Sequence, residues 1–363
     1  MEVVIQPNVS LAPYTTLKVG GVASYFAVVK DAQEVRAAWR QAEPAAKPPF
    51  ILGGGSNVLI SDGPLKRLVI KNEIKGISFE DSIDGTVLVR AGAGASWDEL
   101  VETVVNRGLS GLENLSGIPG SVGAAPVQNI NAYGATVAEV IVSVEVYDGA
   151  ADTYKTLSAA ECRFGYRDSI FKRPEGKSLV ALFVTFRLTK AASINISYRS
   201  SSQSIERYLA EKNITTPTVI DVRAAVLHVR SNIGMLLGQF RSAGSFFKNT
   251  VVSAKQFKFI EEVVTKDFDD ISKRLSPWHW SLPTGEEKIA TAFFLECSPY
   301  NKHTYGTKRF RDVVGISPLH SLSIVTFAGA TATDVQDFVE EIKHSVKNIF
   351  GVALETEVDY ISH

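Results

Sequence analysis

Apolar residues recur along this chain at two spacings, and glycine tends to mark where one gives way to the other. Val140, Val142, Val144 and Val146 alternate with their neighbours over 140–147, the period of a strand with one buried face. Residues 86–90 and 179–188 are β-branched and apolar, which predicts two further strands. Residues 50–60 read as strand, tight loop and strand around three consecutive glycines. Elsewhere the period lengthens to that of a helix. Ser96 and Glu99 form a capping box ahead of Trp97, Leu100, Val101, Val104 and Val105, and Gly108 closes that segment. Asp31 predicts a helix running to about residue 41. Thr333 with Gln336 predicts the cap of a helix whose stripe is Val335, Phe338, Val339, Ile342, Val346 and Ile349. Gly351 ends it, and a strand is expected over 352–358. Because strands often follow one another directly, the class is α+β. Residues 195–232 are polar and irregular in pattern, so a domain boundary is expected there.

Composition narrows the function more than the fold. The chain has 363 residues, 45% hydrophobic and 21% charged, enough for two or three domains with a sizeable core. A net charge of -1 gives no field favouring nucleic acid or an anionic membrane. No apolar run approaches the ~18 residues of a spanning helix, and the start lacks the regions of a signal peptide. A cytoplasmic monomer with no membrane partner is expected. Cys162 and Cys297 have neither a metal spacing nor a disulfide framework, so two reduced thiols and no metal are expected.

Three stretches carry candidate chemistry. In 241–249, Ser245 lies between Gly244, which cannot block a ligand's approach, and the water-excluding Phe246 and Phe247. Lys248 and Asn249 then offer groups that a phosphate or carboxylate uses. A serine turn before a helix accounts for the same residues. Gly53, Gly54 and Gly55 free the backbone to aim N–H groups at one anion, with Ser56 and Asn57 adding side-chain donors. The dinucleotide spacing of a Rossmann loop is missing, and a plain glycine turn remains open. Residues 111–134 combine many glycines and small residues with almost no charge, the composition of backbone lying against a large planar or phosphorylated ligand.

Taken together, Ile51–Ile60, Gly111–Gly134, Glu161–Lys172, Ala243–Asn249 and Leu354–Val358 resemble the UDP-N-acetylenolpyruvoylglucosamine reductase family, also called UDP-N-acetylmuramate dehydrogenases. The segments occur in the family's order over nearly the whole chain. The resemblance implies a vanillyl-alcohol-oxidase (PCMH)-type FAD-binding fold with a smaller C-terminal α/β substrate-binding domain. It divides the chain at 1–73, 74–200 and 201–363. It implies noncovalent FAD, held by Gly53–Asn57 and by Ile118, Pro119, Gly120, Ser121 and Gly123, with Gln128, Asn129 and Tyr133 nearby. NADPH is the implied hydride donor and a UDP-sugar enolpyruvyl ether the implied substrate. Arg167 would grip the carboxylate and its enolate, Ser245 would donate the proton, and Glu357 would complete the site, protonated. Tyr166, Tyr198, Arg230, Lys248 and Asn249 are the implied substrate contacts. Cys162, the histidines, Trp278 and Trp280 are read as structural.

The chain departs from the pattern at four positions. Thr250 and Thr356 stand where the family has proline, Asn131 where it has glycine, and Ile233 where it has a lysine for phosphate or carboxylate groups. Arg241 is the nearby charge offered in that lysine's place. A relative with the same fold but another substrate, or one reoxidised by oxygen, is the competing reading, and a non-catalytic flavin or nucleotide-binding module is the third.

Overall fold

The computed structural model describes residues 3–42, 47–190, 194–196, 204–268 and 275–362. The first sheet holds β1 (Gln6–Ser10), β2 (Val22–Val29), β3 (Phe50–Leu52) and β5 (Pro64–Asn72), in the order β1-β2-β5-β3. β2 and β3 both run parallel to β5, and β4 (Val58–Ile60) stands outside this sheet. Helix α1 (Ala32–Gln41) covers it with Val35, Ala38 and Trp39, capped where Asp31 accepts from the Glu34 N–H.

The second sheet is antiparallel. It contains β6 (Ile77–Asp81), β7 (Thr86–Gly92), β10 (Ile141–Asp148), β11 (Thr153–Ser158) and β12 (Leu179–Thr189), in the order β11-β10-β12-β7-β6. Helix α2 (Trp97–Asn106) buries Trp97, Leu100, Val101, Val104 and Val105 behind its Ser96 cap. The glycine-rich stretch packs beside α2, and all of 112–117 is buried. It includes α3 (Ala124–Gln128) and the small hairpin β8–β9 (Asn131–Ala132, Ala135–Thr136).

The last part has two small sheets on a shared aromatic core of Phe293, Phe294, Phe338 and Phe350. One is β13 (Ser242–Ser245), β18 (His320–Thr326) and β17 (Val314–Ser317). The other is β14 (Thr250–Val252), β16 (Glu287–Ile289) and β15 (His279–Ser281). Then the chain turns back. β19 (Asp359–Ile361) pairs parallel with β4, some three hundred positions earlier.

The structure revises three local expectations. The last helix, Ala332–Phe350, is capped by Thr331 with Asp334, not by Thr333 with Gln336. Thr333 is drawn off by Asp62, which accepts from the N–H groups of Ala332 at 3.0 Å and Thr333 at 2.8 Å and from the Thr333 hydroxyl at 2.7 Å. The expected strand 352–358 buries Val352, Leu354 and Val358 in alternation but makes only an isolated bridge, Thr356 to Phe247; its ladder begins at Asp359. Residues 205–211 and 219–232 are the helices α4 (Ile205–Glu211) and α5 (Val219–Asn232). The stripe of α5 was obscured by Arg223, which stands in it, buried, and is bonded bidentately to Asp98 at 2.6 and 2.9 Å.

Candidate active site

Ser245 ends β13 opposite Ser323 of β18, after Gly244 at φ +73°. The next carbonyl, of Phe246, accepts from the Glu357 N–H at 2.8 Å, and the Lys248 N–H donates to the Glu355 carbonyl at 3.0 Å. With the Phe247–Thr356 bridge, this pairing holds the serine and the glutamate on adjacent runs of backbone. Arg167 arrives from another part of the chain. It occupies a tight turn closed by Gly165 and Asp168, and its own φ is +52°. Asp168 is taken by Arg173 at 2.9 Å, so Arg167 is not the partner of its neighbour.

Arg167 Nε lies 2.8 Å from Glu357 Oε1, with side-chain exposures of 17% and 15%. The pair is close without being an aligned hydrogen bond, since the buried Nε–H points at no acceptor. Burial pushes the Glu357 carboxyl above the usual carboxylate range, opposed by Arg167, Lys172 and Lys248. The site therefore offers a guanidinium, a carboxyl whose ionisation burial opposes and, on the neighbouring run of backbone, a serine.

The two glycine loops meet next to this pair. The Ser56 hydroxyl donates to the Pro119 carbonyl at 2.8 Å. A Cβ on Gly53 would sit 2.4 Å from Ser121 Oγ, and one on Gly54 would sit 2.7 Å from the Gly120 Cα. These glycines therefore first let the loops pass one another. Gly55 and Gly120 also need glycine's freedom, at φ +64° and +135°. Among the described residues no carbonyl accepts from the N–H groups of Gly54, Gly55 or Ser56, which leaves a run of unengaged donors suited to an anion. Asn57 joins this loop to the catalytic candidates, donating through Nδ2 to the Glu357 carbonyl at 3.1 Å.

The remaining candidates divide. Gln128 is engaged at both ends of its amide: Nε2 donates to Asp359 at 2.7 Å, and Oε1 accepts from Lys172 at 3.3 Å. Asn129, at φ +43°, donates to the Gly165 carbonyl at 2.8 Å and so braces the Arg167 turn. Tyr133 sits at φ +48°, and its hydroxyl bonds to Arg230. Arg230 also donates to the carbonyls of Gly117 at 3.1 Å and Met235 at 2.9 Å, and its burial disfavours its charge. That cluster lies against the second loop, through the Gly117 carbonyl. Asn249 accepts from the Thr291 N–H at 3.3 Å, leaving its Nδ2 as the donor to offer. Lys248 is 3.3 Å from Glu355. Tyr166 is 46% exposed, and Tyr198 lies outside the described residues.

The departures have physical accounts. The Thr250 and Thr291 hydroxyls bond at 3.0 Å, tying down a loop that lacks proline, and Thr356 forms the bridge to Phe247. Asn131 needs no left-handed backbone, since the positive angles fall on Asn129 and Tyr133. Ile233 caps α5 at φ −101°. Three residues the pattern did not single out also belong here: Lys172 and Asp359, 3.1 Å apart, and Lys288, whose ammonium sits 3.9 Å from the centre of the Tyr166 ring. Nothing in the run Glu286-Glu287-Lys288 distinguishes that lysine from a solvated charge.

Facing glycine loops between a mostly parallel sheet and an antiparallel one define a flavoprotein of the FAD-binding-domain class, and the family described as FAD binding domain matches residues 23–157. The family described as UDP-N-acetylenolpyruvoylglucosamine reductase, C-terminal domain, matches residues 303–361. The UDP-N-acetylenolpyruvoylglucosamine reductase of Thermobifida fusca is 38% identical over 96% of each chain. That of Pseudomonas aeruginosa is 34% identical over 98% of this chain and 99% of its own. The crystal structure of the Thermus caldophilus enzyme shares the fold, with a TM-score of 0.66 at 24% identity over 99% of both chains. This chain belongs to the UDP-N-acetylenolpyruvoylglucosamine reductase family, and its fold is the α+β, vanillyl-alcohol-oxidase-type FAD-binding fold with a C-terminal portion appended.

Proposed function

We propose that this chain reduces the enolpyruvyl ether of UDP-N-acetylenolpyruvoylglucosamine to UDP-N-acetylmuramate, a peptidoglycan precursor, with NADPH as donor. The observation that carries the reading is the largely buried Arg167–Glu357 pair, joined through a backbone bond to Phe246, next to Ser245, on one side and through Asn57 to the glycine cradle on the other. The residues present suit noncovalent FAD. The unengaged N–H groups at Gly54–Ser56 fit a pyrophosphate, and no histidine precedes His228 to make a covalent link. When bound, FAD supplies the hydride chemistry.

The chain's residues do the rest. Arg167 binds the substrate carboxylate and stays charged as the enolate develops. Ser245, a weak acid, gives up its proton because a strongly basic enolate carbon is held against it. Glu357, protonated, donates a hydrogen bond that spreads the enolate's charge. Tyr166, Arg230, Lys248 and Asn249 contribute substrate contacts. The protein works as a cytoplasmic monomer in domains 1–73, 74–200 and 201–363; no helix among the described residues is long and apolar enough to cross a membrane.

Stopped-flow mixing tests this. NADPH should bleach the flavin, and the enolpyruvyl nucleotide should restore its colour far faster than oxygen does. Ser245→Ala should keep FAD and the bleaching step but slow the restoring step by roughly 10²- to 10⁴-fold. Equal rates would remove the serine from its role. Ile233 supports a second reading, a reductase for another substrate or one reoxidised by oxygen, because isoleucine cannot contact phosphate. Rapid recovery of colour in oxygen alone would favour that reading.

A further inference from the structure

Lys288 is a cation in an unusual place. It lies in the middle of β16, partly buried, between Val251 of β14 and Trp280 of β15. Its strand neighbour Glu287 faces away by alternation and is occupied, accepting from the Ser281 hydroxyl at 2.9 and 3.0 Å with His279 at 4.0 Å. Among the described residues no carboxylate lies within ion-pair reach of Lys288. What it touches is a π face: the Tyr166 ring, 3.9 Å from the ammonium and one residue from Arg167.

The surrounding charges do not supply the missing anion. Arg167 is close enough to act repulsively on Lys288, which burial and that repulsion together push below the usual lysine range. Lys248 is matched by Glu355. Glu357, 2.8 Å from Arg167, is already engaged there, and burial holds its carboxyl above the usual carboxylate range. Two cations are thus held partly out of water beside one carboxyl whose ionisation burial opposes. Such an arrangement is costly when empty and is repaid when an anion enters.

We propose that Lys288 is a substrate-binding residue, forming with Arg167 a two-cation clamp on the carboxylate of the substrate, with Tyr166 as the platform that holds the ammonium in position. This rests on the functional reading above and deepens it. One carboxylate oxygen then meets the guanidinium while the other meets the ammonium, which draws charge out of the π system that hydride is to enter.

The test uses the flavin-loaded enzyme and its product. Lys288, with its depressed pKa, should be trinitrophenylated at pH 8 faster than the surface lysines, as read by peptide mass mapping. UDP-N-acetylmuramate, which carries the carboxylate, should protect it, whereas UDP-N-acetylglucosamine, which has the diphosphate but no carboxylate, should not. Lys288→Met should raise KM roughly 10- to 100-fold, and Lys288→Arg should recover most of that loss. The labelling needs no variant, so a misfolded Lys288→Met protein would not spare the proposal. Equal protection by both nucleotides would assign Lys288 to the diphosphate and overturn the clamp. No protection, in enzyme whose flavin spectrum still responds to UDP-N-acetylmuramate, would also overturn it. A flavin-loaded enzyme whose spectrum ignores both nucleotides would sink the functional reading, and the clamp with it.

Discussion

Glu357 is where pH should act most directly. Its folded carboxyl titrates above the ordinary carboxylate range because burial disfavours the anion more than Arg167 favours it. The folded protein therefore holds this proton at pH values where the unfolded chain has released it. By linkage, that contribution to stability is fully present below the unfolded pKa and is lost as pH rises through the folded one. Glu357→Gln should flatten this dependence, so its melting temperature should fall less than the parent's as pH rises beyond the usual carboxylate range. Its turnover should also lose the alkaline decline that deprotonation of Glu357 imposes, at a lower plateau. A melting temperature with the same pH slope in both proteins would show that the carboxyl is not held protonated. Ser245 stands out in its own local string, whereas Arg167 and Glu357 read locally as solvated charges and are singled out only by the resemblance to the family. Lys288 could not be found from the sequence, since its role depends on a ring and a guanidinium brought to it from more than a hundred positions away.

Elements were legible where their stability is local. The α1 and α2 caps, the two strands flanking Gly53–Gly55 and the alternation over 140–147 follow from short-range rules, and the structure has them. Expectation failed where a distant residue competes. Asp62, from the loop after β4, accepts two N–H groups of the last helix, which moved the cap upstream of where the string Thr333–Gln336 put it. Asp62→Ala should cost about 1 kcal/mol, the loss of one capping side chain, because Thr331 and Asp334 still cap the helix. Urea unfolding followed by circular dichroism checks this. A loss several times larger would mean that Asp62 fastens the two parts of the chain together in addition to satisfying a helix end. Arg223 misled in the opposite sense, since one charge within an apolar stripe made α5 look irregular.

At the scale of the whole molecule, the site exists because the chain's last strand returns to its first part. Asp359 donates its N–H to the Asn57 carbonyl at 3.0 Å, while its carboxylate takes Lys172 at 3.1 Å and the Gln128 amide at 2.7 Å. One residue thus binds the first glycine loop, the end of the second and the segment carrying Arg167. No local pattern announces such a junction, because parallel pairing of β19 with β4 leaves no turn between them to read. Asp359→Ala keeps the backbone bond and removes the other two. Its side chain is 42% exposed, so the ion pair itself contributes modestly. The larger effect should be on geometry, as Gln128 and Lys172 lose their common partner and the loops loosen around the cofactor. FAD affinity, read by flavin fluorescence on titrating apoprotein, should fall about two- to tenfold, with melting of the apoprotein little changed. If affinity holds while the apoprotein melts earlier, Asp359 supports the fold alone, and the glycine loops keep their spacing without the returning strand.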